Sequence, residues 1–362
     1  MDGGGYCVRP GRGIAAGNIQ LVRNRIPQGV LTAVALTLSA TFAFAVNAQV
    51  APDGGFSMPL KCTLDRDCWL INLPDAAPDE KALDHRCGFR TYNGHKGTDF
   101  AVRDFRATDG SGAEVIAAGP GLVTAARDGA DEFFKLTPEA RKLVGRKECG
   151  NGVIVQHSGG WESQYCHMRK GSISVKLGDR VKRGDKLGLV GMSGKTQFPH
   201  VHIAFRVDGK TIDPFTGAAV ATGCDGPKRP IWHKDSKVGY PGFALYAAGF
   251  TDHTPSRERI RSSARSPVSM PRHASALVLW AAMFGVQRGD VLKMRILDPG
   301  GTAIVAREIR LDRAQAWRME ISGRKLPPAG WQAGGWVGEA VLQRFVNGRT
   351  ITRRINVPLV VK

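Results

Sequence analysis

The chain has 362 residues, 42% of them hydrophobic and 23% charged. That composition excludes disorder over most of its length and leaves room for two domains. A formal charge of +19 would suggest nucleic acid for a cytosolic protein. For an exported one it suggests an anionic wall polymer or membrane surface, with a solvated basic surface as the plain alternative. The 45 Gly and 20 Pro, with few long amphipathic runs, favour β structure with many turns.

Residues 1–48 read as an export signal. Arg9, Arg12, Arg23 and Arg25 form a basic leader, Val30 to Ala45 an uncharged apolar core, and Val46-Asn47-Ala48 a small-residue cut site before Gln49. The alternative is a retained anchor, but the apolar run is short for a membrane span. Removing this segment takes away four Arg and Asp2 and leaves a charge of +16. It also removes Cys7, so Cys62, Cys68, Cys87, Cys149, Cys166 and Cys224 remain as an even set for an oxidising compartment. No Cys-x-x-Cys pair occurs, which argues against a zinc finger.

Residues 49–94 are expected to be an irregular lead-in held by disulfides, ending at the turn Tyr92-Asn93-Gly94. His95 then falls in a loop, because Gly94 and Gly97 disfavour helix, and Asp99 opens a strand. From Glu114 the segments EVIAAG, GLVTAA, GVIVQH, ESQYCHM, SISV, KLGLVG and HVHIAFRV read as short strands between glycine turns. They predict an antiparallel sheet rather than βαβ units. Residues 128–148 interrupt that rhythm as an insertion, with a short helix capped by Thr137 and Pro138. The hairpin pattern around Ser158-Gly159-Gly160 brings Cys149 toward Cys166 and makes them the disulfide candidates.

Residues 95–235 form the first domain on this reading. Residues 236–275 are a basic linker in which Gly242 to Phe250 is a possible first strand. Residues 276–362 return to β periodicity with hairpin turns at Asp298-Pro299-Gly300-Gly301 and Asn347-Gly348. They predict an immunoglobulin-like β-sandwich. It carries no cluster of His, Cys and carboxylate, so a binding or spacing role is expected for it.

Chemistry concentrates in the first domain. His200 and His202 lie two apart in a β-prone run, so both imidazoles face one side while Val201 faces the other. His95, Asp99 and His167 add further donors in separate turn or strand contexts. A catalytic zinc takes three protein ligands of this kind and keeps a fourth position for water. Taken singly, each histidine is more often a hydrogen-bonded structural residue.

Together these segments resemble the LytM/lysostaphin-type zinc metallopeptidases. His95-Lys-Gly97-Thr-Asp99 is similar to their H-x-G-x-D motif, Tyr165-Cys166-His167 to Y-x-H, and His200-Val-His202 to H-x-H. Val115 to Val123, Val175 to Gly191 and Asp213-Pro214 match further runs of the family, so the likeness covers about residues 85–217. It implies an antiparallel β domain (the duplicated hybrid motif) with Zn²⁺ held by His95, Asp99 and His202. His167 and His200 would be catalytic, in an order left open. It further implies an endopeptidase that cuts peptide cross-links of bacterial peptidoglycan through a metal-activated water. The non-enzymatic alternative is a wall-binding or hydrolase-activating protein of the same fold. The implied partner is peptidoglycan, with no nucleic acid and no membrane span after processing. The implied location is the periplasm or cell envelope, with secretion or an uncleaved anchor as alternatives. A further alternative is autoinhibition, with residues 49–94 over the groove and Asn93 or a carboxylate near the metal. Departures from the pattern are Cys166, the 128–148 insertion and the six cysteines, which bear on groove shape and substrate choice.

Overall fold

Short strands broken by glycine turns can bury themselves only by pairing into sheets, and the first domain does so around one central sheet. The structure, a computed structural model, describes residues 51–105, 113–133, 135–226 and 228–362. The expected export segment 1–48, with Cys7, lies outside the described residues.

The strands are β1 (Cys68–Asn72), β2 (Thr98–Val102), β3 (Glu114–Ile116) and β4 (Gly121–Arg127). After helix α1 (Pro138–Val144) come β5 (Asn151–Gln156), β6 (Glu162–Met168), β7 (Arg180–Val181), β8 (Lys186–Leu189), β9 (His200–Val207) and β10 (Lys210–Ile212). The main sheet runs β1-β2-β9-β6-β5-β4-β7, with β10 paired to β9, while β3 and β8 form a separate antiparallel pair. All of the main sheet's pairings are antiparallel, as the turn pattern predicts. The insertion contains the expected helix: Thr137 Oγ1 accepts from Ala140 N–H at 3.2 Å and Pro138 occupies the first turn.

Two segments differ from the sequence reading. The lead-in is not wholly irregular: Cys68–Asn72 is the edge strand of the main sheet, antiparallel to β2. Residues 172–175, expected as a strand, are not one. The Ser172 hydroxyl donates to Arg169 O at 2.8 Å and accepts from Leu189 N–H at 3.1 Å, occupying groups a regular ladder would use.

Disulfides join Cys62 to Cys68, Cys87 to Cys224, and Cys149 to Cys166. The last is the pair expected from the hairpin. The second closes 137 residues of chain and ties the lead-in to the far end of the first domain.

Beyond residue 240 the strands are β11 (Ala244–Thr251), β12 (Ser269–Met270), β13 (Ala276–Val286) and β14 (Val291–Leu297). They continue as β15 (Ala303–Arg310), β16 (Gln315–Lys325), β17 (Gly334–Val346) and β18 (Arg349–Val361), with helix α2 (Arg257–Ser262) after β11. A three-stranded sheet, β11-β13-β16, packs on a five-stranded sheet, β12-β18-β17-β14-β15. This two-sheet arrangement is consistent with the expected immunoglobulin-like sandwich.

Strand β13 explains how the two halves join. Leu277, Leu279, Ala281 and Met283 point into the sandwich core. The alternate residues Trp280, Ala282 and Phe284 instead pack with Trp69, Ile71 and Phe198 of the first domain. Trp69 lies 5.5 Å from the Tyr246 ring and 5.9 Å from that of Phe284. The three-stranded sheet is therefore covered on both faces, and Ala48–Lys362 form one compact unit.

Trp69 is 5% exposed, so Trp69→Ala should cost ~3–5 kcal/mol through lost burial and an unfilled cavity. Equilibrium denaturant unfolding with the disulfides intact measures this. An unchanged midpoint would show that the aromatic contact contributes nothing to stability.

Candidate metal centre

The sheet order sets the site. Strands β2, β9 and β6 are neighbours, and their register places Asp99 opposite His202 and His202 opposite Cys166. His167, the residue after Cys166, therefore arrives beside the same patch. Val201 points the other way and is fully buried in the core, so His200 and His202 share the opposite face, as period-2 alternation requires.

His95 comes from the loop before β2, and the lead-in shapes that loop. The Asp75 carboxylate accepts from the backbone N–H groups of Ala77, Leu83 and Gly94 at 3.2, 3.1 and 2.8 Å. Asp75 N–H also donates to His95 O at 2.7 Å. His95 Nδ1 donates to Leu73 O at 2.6 Å, which turns Nε2 into the site. Gly97 is required by the close approach of β9: a Cβ there would lie 2.6 Å from both His202 Cε1 and Ile203 O.

Three ligand-type atoms converge. His95 Nε2 and Asp99 Oδ1 are 3.1 Å apart, His202 Nδ1 and Asp99 Oδ1 are 2.9 Å apart, and the two imidazole nitrogens are 3.1 Å apart. All three side chains are buried or nearly so. With His95 Nδ1 committed to a carbonyl, the neutral imidazole offers only a lone pair at Nε2. Lone pairs crowded in a buried place need a proton or a cation between them. Burial works to lower the His95 pKa, but the Asp99 charge, the Asp99 hydrogen bond and the Leu73 carbonyl together overcome it and hold His95 above its ordinary value. Burial works to raise the Asp99 pKa. The charges of His95 and His200 and the imidazole hydrogen bonds overcome it and keep the carboxylate ionised. Two histidines and an aspartate are a donor set suited to a divalent transition metal, and the residues present fit one.

The remaining two histidines flank this cluster. His167 Nδ1 donates to Ser193 O at 2.8 Å, and His200 Nδ1 donates to Phe198 O at 2.8 Å. Each keeps Nε2 free of the backbone, and His200 Nε2 lies 3.6 Å from Asp99 Oδ1. Their ring centroids are 4.7 Å apart. Burial, reinforced by the charges of His200 and His202, holds His167 well below the ordinary histidine pKa, so it stays neutral. His167 has φ 63°, a conformation uncommon for a non-glycine residue. It is pinned by His167 N–H to Cys149 O at 2.8 Å, by Gly191 N–H to its own carbonyl at 2.9 Å, and by the adjoining Cys149–Cys166 bond. The insertion reaches this region too, since Glu132 bridges to Ser193 and its carboxylate accepts from Met192 N–H at 3.2 Å.

All five residues singled out in the sequence are thus brought together. Several neighbours were not legible there. Asn72 Nδ2 donates to Asp99 Oδ2 at 2.9 Å, and the Tyr92 ring stacks on His95 at 4.3 Å. Asn93, expected as a possible approach to the metal, is exposed. Asn72 is 27 residues from its partner, and only the unforeseen strand β1 brings it there. Another Cys/Asp grouping, Cys87, Cys224 and Asp225, has its sulfurs committed to a disulfide.

Comparison with known proteins agrees with this geometry. Residues 93–214 match the model of peptidase family M23. An uncharacterized metalloprotease of Buchnera aphidicola subsp. Baizongia pistaciae is 30% identical over 120 residues, 33% of this chain and 25% of that protein. The peptidoglycan DD-endopeptidase ShyA of Vibrio cholerae is 30% identical over 119 residues, 33% of this chain and 22% of that one. The match thus spans about a quarter of the length of these relatives. A zinc-containing peptidase structure from Vibrio cholerae aligns over 49% of this chain and 40% of its own, at 22% identity and a TM-score of 0.26. The three histidine motifs fall in order within residues 93–214, the segment that matches peptidase family M23.

Proposed function

We propose that the chain is a zinc-dependent endopeptidase that hydrolyses peptide cross-links of bacterial peptidoglycan in the cell envelope. The observation that carries this reading is the convergence of His95 Nε2, Asp99 Oδ1 and His202 Nδ1 within 4.8 Å of one another, flanked by two further imidazoles. The relatives named as peptidoglycan DD-endopeptidases support the substrate class.

His95, Asp99 and His202 would hold the ion. When bound, zinc lowers the pKa of a water to about 7 and polarises a carbonyl. The protein's own groups supply the rest. Asn72 orients the Asp99 carboxylate through its second oxygen, and Leu73 O orients His95. His167 and His200, each anchored through Nδ1, present Nε2 to take a proton from the attacking water or donate one to the scissile oxygen or leaving amine. The neutral state of His167 suits the accepting role. Exported disulfides and a basic surface fit an anionic wall polymer.

The mature chain should hold about one zinc, read by elemental analysis after dialysis, as expected of a single catalytic site. His202→Ala should lose the zinc. His167→Ala should keep it while turnover falls by roughly 10²–10⁴-fold. The assay is release of new amino groups from purified peptidoglycan sacculi; zinc-loaded protein that releases none, where a known hydrolase does, would overturn the enzyme reading. Asn72→Ala should weaken zinc affinity by roughly 10–100-fold, measured by competition with a chelator. Undiminished affinity would mean that Asn72 does not position Asp99.

A further inference from the structure

A cavity of about 470 Å³ lies where the peptidase domain meets the sandwich. That is within the usual size of small-ligand pockets, roughly 300–1,000 Å³. Asn72, Arg90 and Thr91 form one wall, and Gly285, Gln315 and Arg344 the other.

The two arginines are not equivalent. Arg344 makes a two-pronged pair with buried Asp290, at 2.7 Å through both Nε and Nη2, which neutralises it. Arg90 has no ion pair among the described residues. Its Nη2 donates to Gly242 O, while its buried Nε has no hydrogen-bond partner. Nearby Asp84 attracts the Arg90 guanidinium by its negative charge without forming an ion pair with it. Its carboxylate is occupied by the backbone N–H groups of Arg86, Gly88 and Arg90 and by the Tyr240 hydroxyl. Burial pushes the Arg90 guanidinium down to about 10.

A largely buried guanidinium with no direct ion pair and an Nε that lacks a hydrogen-bond partner is costly to keep. Yet the sandwich makes room for it. Gly285, at φ +60°, sits where any Cβ would collide with the Arg90 guanidinium. Three residues upstream, the Cys87–Cys224 bond anchors the segment that carries Arg90. Gln315 Oε1 accepts from Arg318 Nη1 at 2.8 Å, which leaves its amide hydrogens for another acceptor. A guanidinium beside a neutral amide donor matches a carboxylate better than any other common group.

We propose that this interdomain cavity binds a carboxylate of a peptide ligand, with Arg90 supplying the charge and Gln315 a neutral donor. The cavity shares Asn72 with the metal centre, where the same amide holds Asp99. Thr91 directly precedes Tyr92, whose ring covers His95. A peptide seated there extends alongside the centre. That this carboxylate belongs to the substrate rests on the peptidase reading; that the cavity takes a carboxylate does not.

The test is calorimetric titration of the mature chain with N-acetyl-D-alanyl-D-alanine and with its C-terminal amide, in zinc-loaded and zinc-stripped protein. The zinc-stripped arm separates Arg90 from a cation that would itself attract carboxylates, and it needs no turnover. The acid should bind at least about tenfold more tightly than the amide in both forms. Arg90→Gln should bring the two within about twofold. Gln315→Glu, which places a like charge in the wall and leaves Arg90 intact, should do the same and decides the matter if Arg90→Gln does not fold. Equal binding of acid and amide by the wild-type chain, a preference confined to the zinc-loaded form, or a preference unchanged in the folded variants would each overturn the proposal.

Discussion

Asp99 faces His202 across the β2–β9 pair, and every other group of the centre is arranged around that contact. Side chains in a strand alternate, so a slip of one residue would send His200 and His202 into the core and Val201 into the site. The register is held on the buried side by Phe100, Val201, Ile203 and Phe205, all fully buried. Gly97 holds it on the site side by allowing the loop to close onto the His202 ring. The charged face depends on the apolar one, because the same pairing that fills the core aims the imidazoles.

Around that pair the protein fixes three of the four histidines through the nitrogen that does not face the site. Leu73, Ser193 and Phe198 carbonyls take the Nδ1 protons of His95, His167 and His200. Backbone carbonyls are strong acceptors whose positions are set by the surrounding structure, so ring orientation and tautomer are decided before any ligand arrives. Ser193 is itself fixed. Its hydroxyl donates to Met168 O at 2.7 Å and accepts from Asn151 N–H at 2.8 Å. The insertion and the Cys149–Cys166 bond converge on this same region, which places two departures from the family pattern behind His167 rather than among the ligand atoms.

The sandwich is not a separate bead on the chain. Its three-stranded sheet is apolar on both faces, and the second face is covered by Trp69, Ile71 and Phe198. A sheet exposed on one side would need polar alternation there, which β13 lacks. The packing brings sandwich residues to within reach of the lead-in that carries Arg90, and it leaves the cavity between them.

The sequence by itself determined what depends on local periodicity and turn chemistry. The parity of His200 and His202, the loop around His95, the Thr137–Pro138 cap and the hairpin that joins Cys149 to Cys166 could all be read from residues close together in the chain. The continuous apolar run of β13 signalled a strand but not what would cover its second face. Tertiary structure alone decided the contacts between distant segments. These include β1 as an edge strand, Asn72 on Asp99, the Cys87–Cys224 bond and the wall that Gly285 builds against Arg90. The physical reason is that a side chain's neighbours within one strand follow from its period. Its neighbours across 27 or 137 residues follow only from which strands pair and which faces are left to bury.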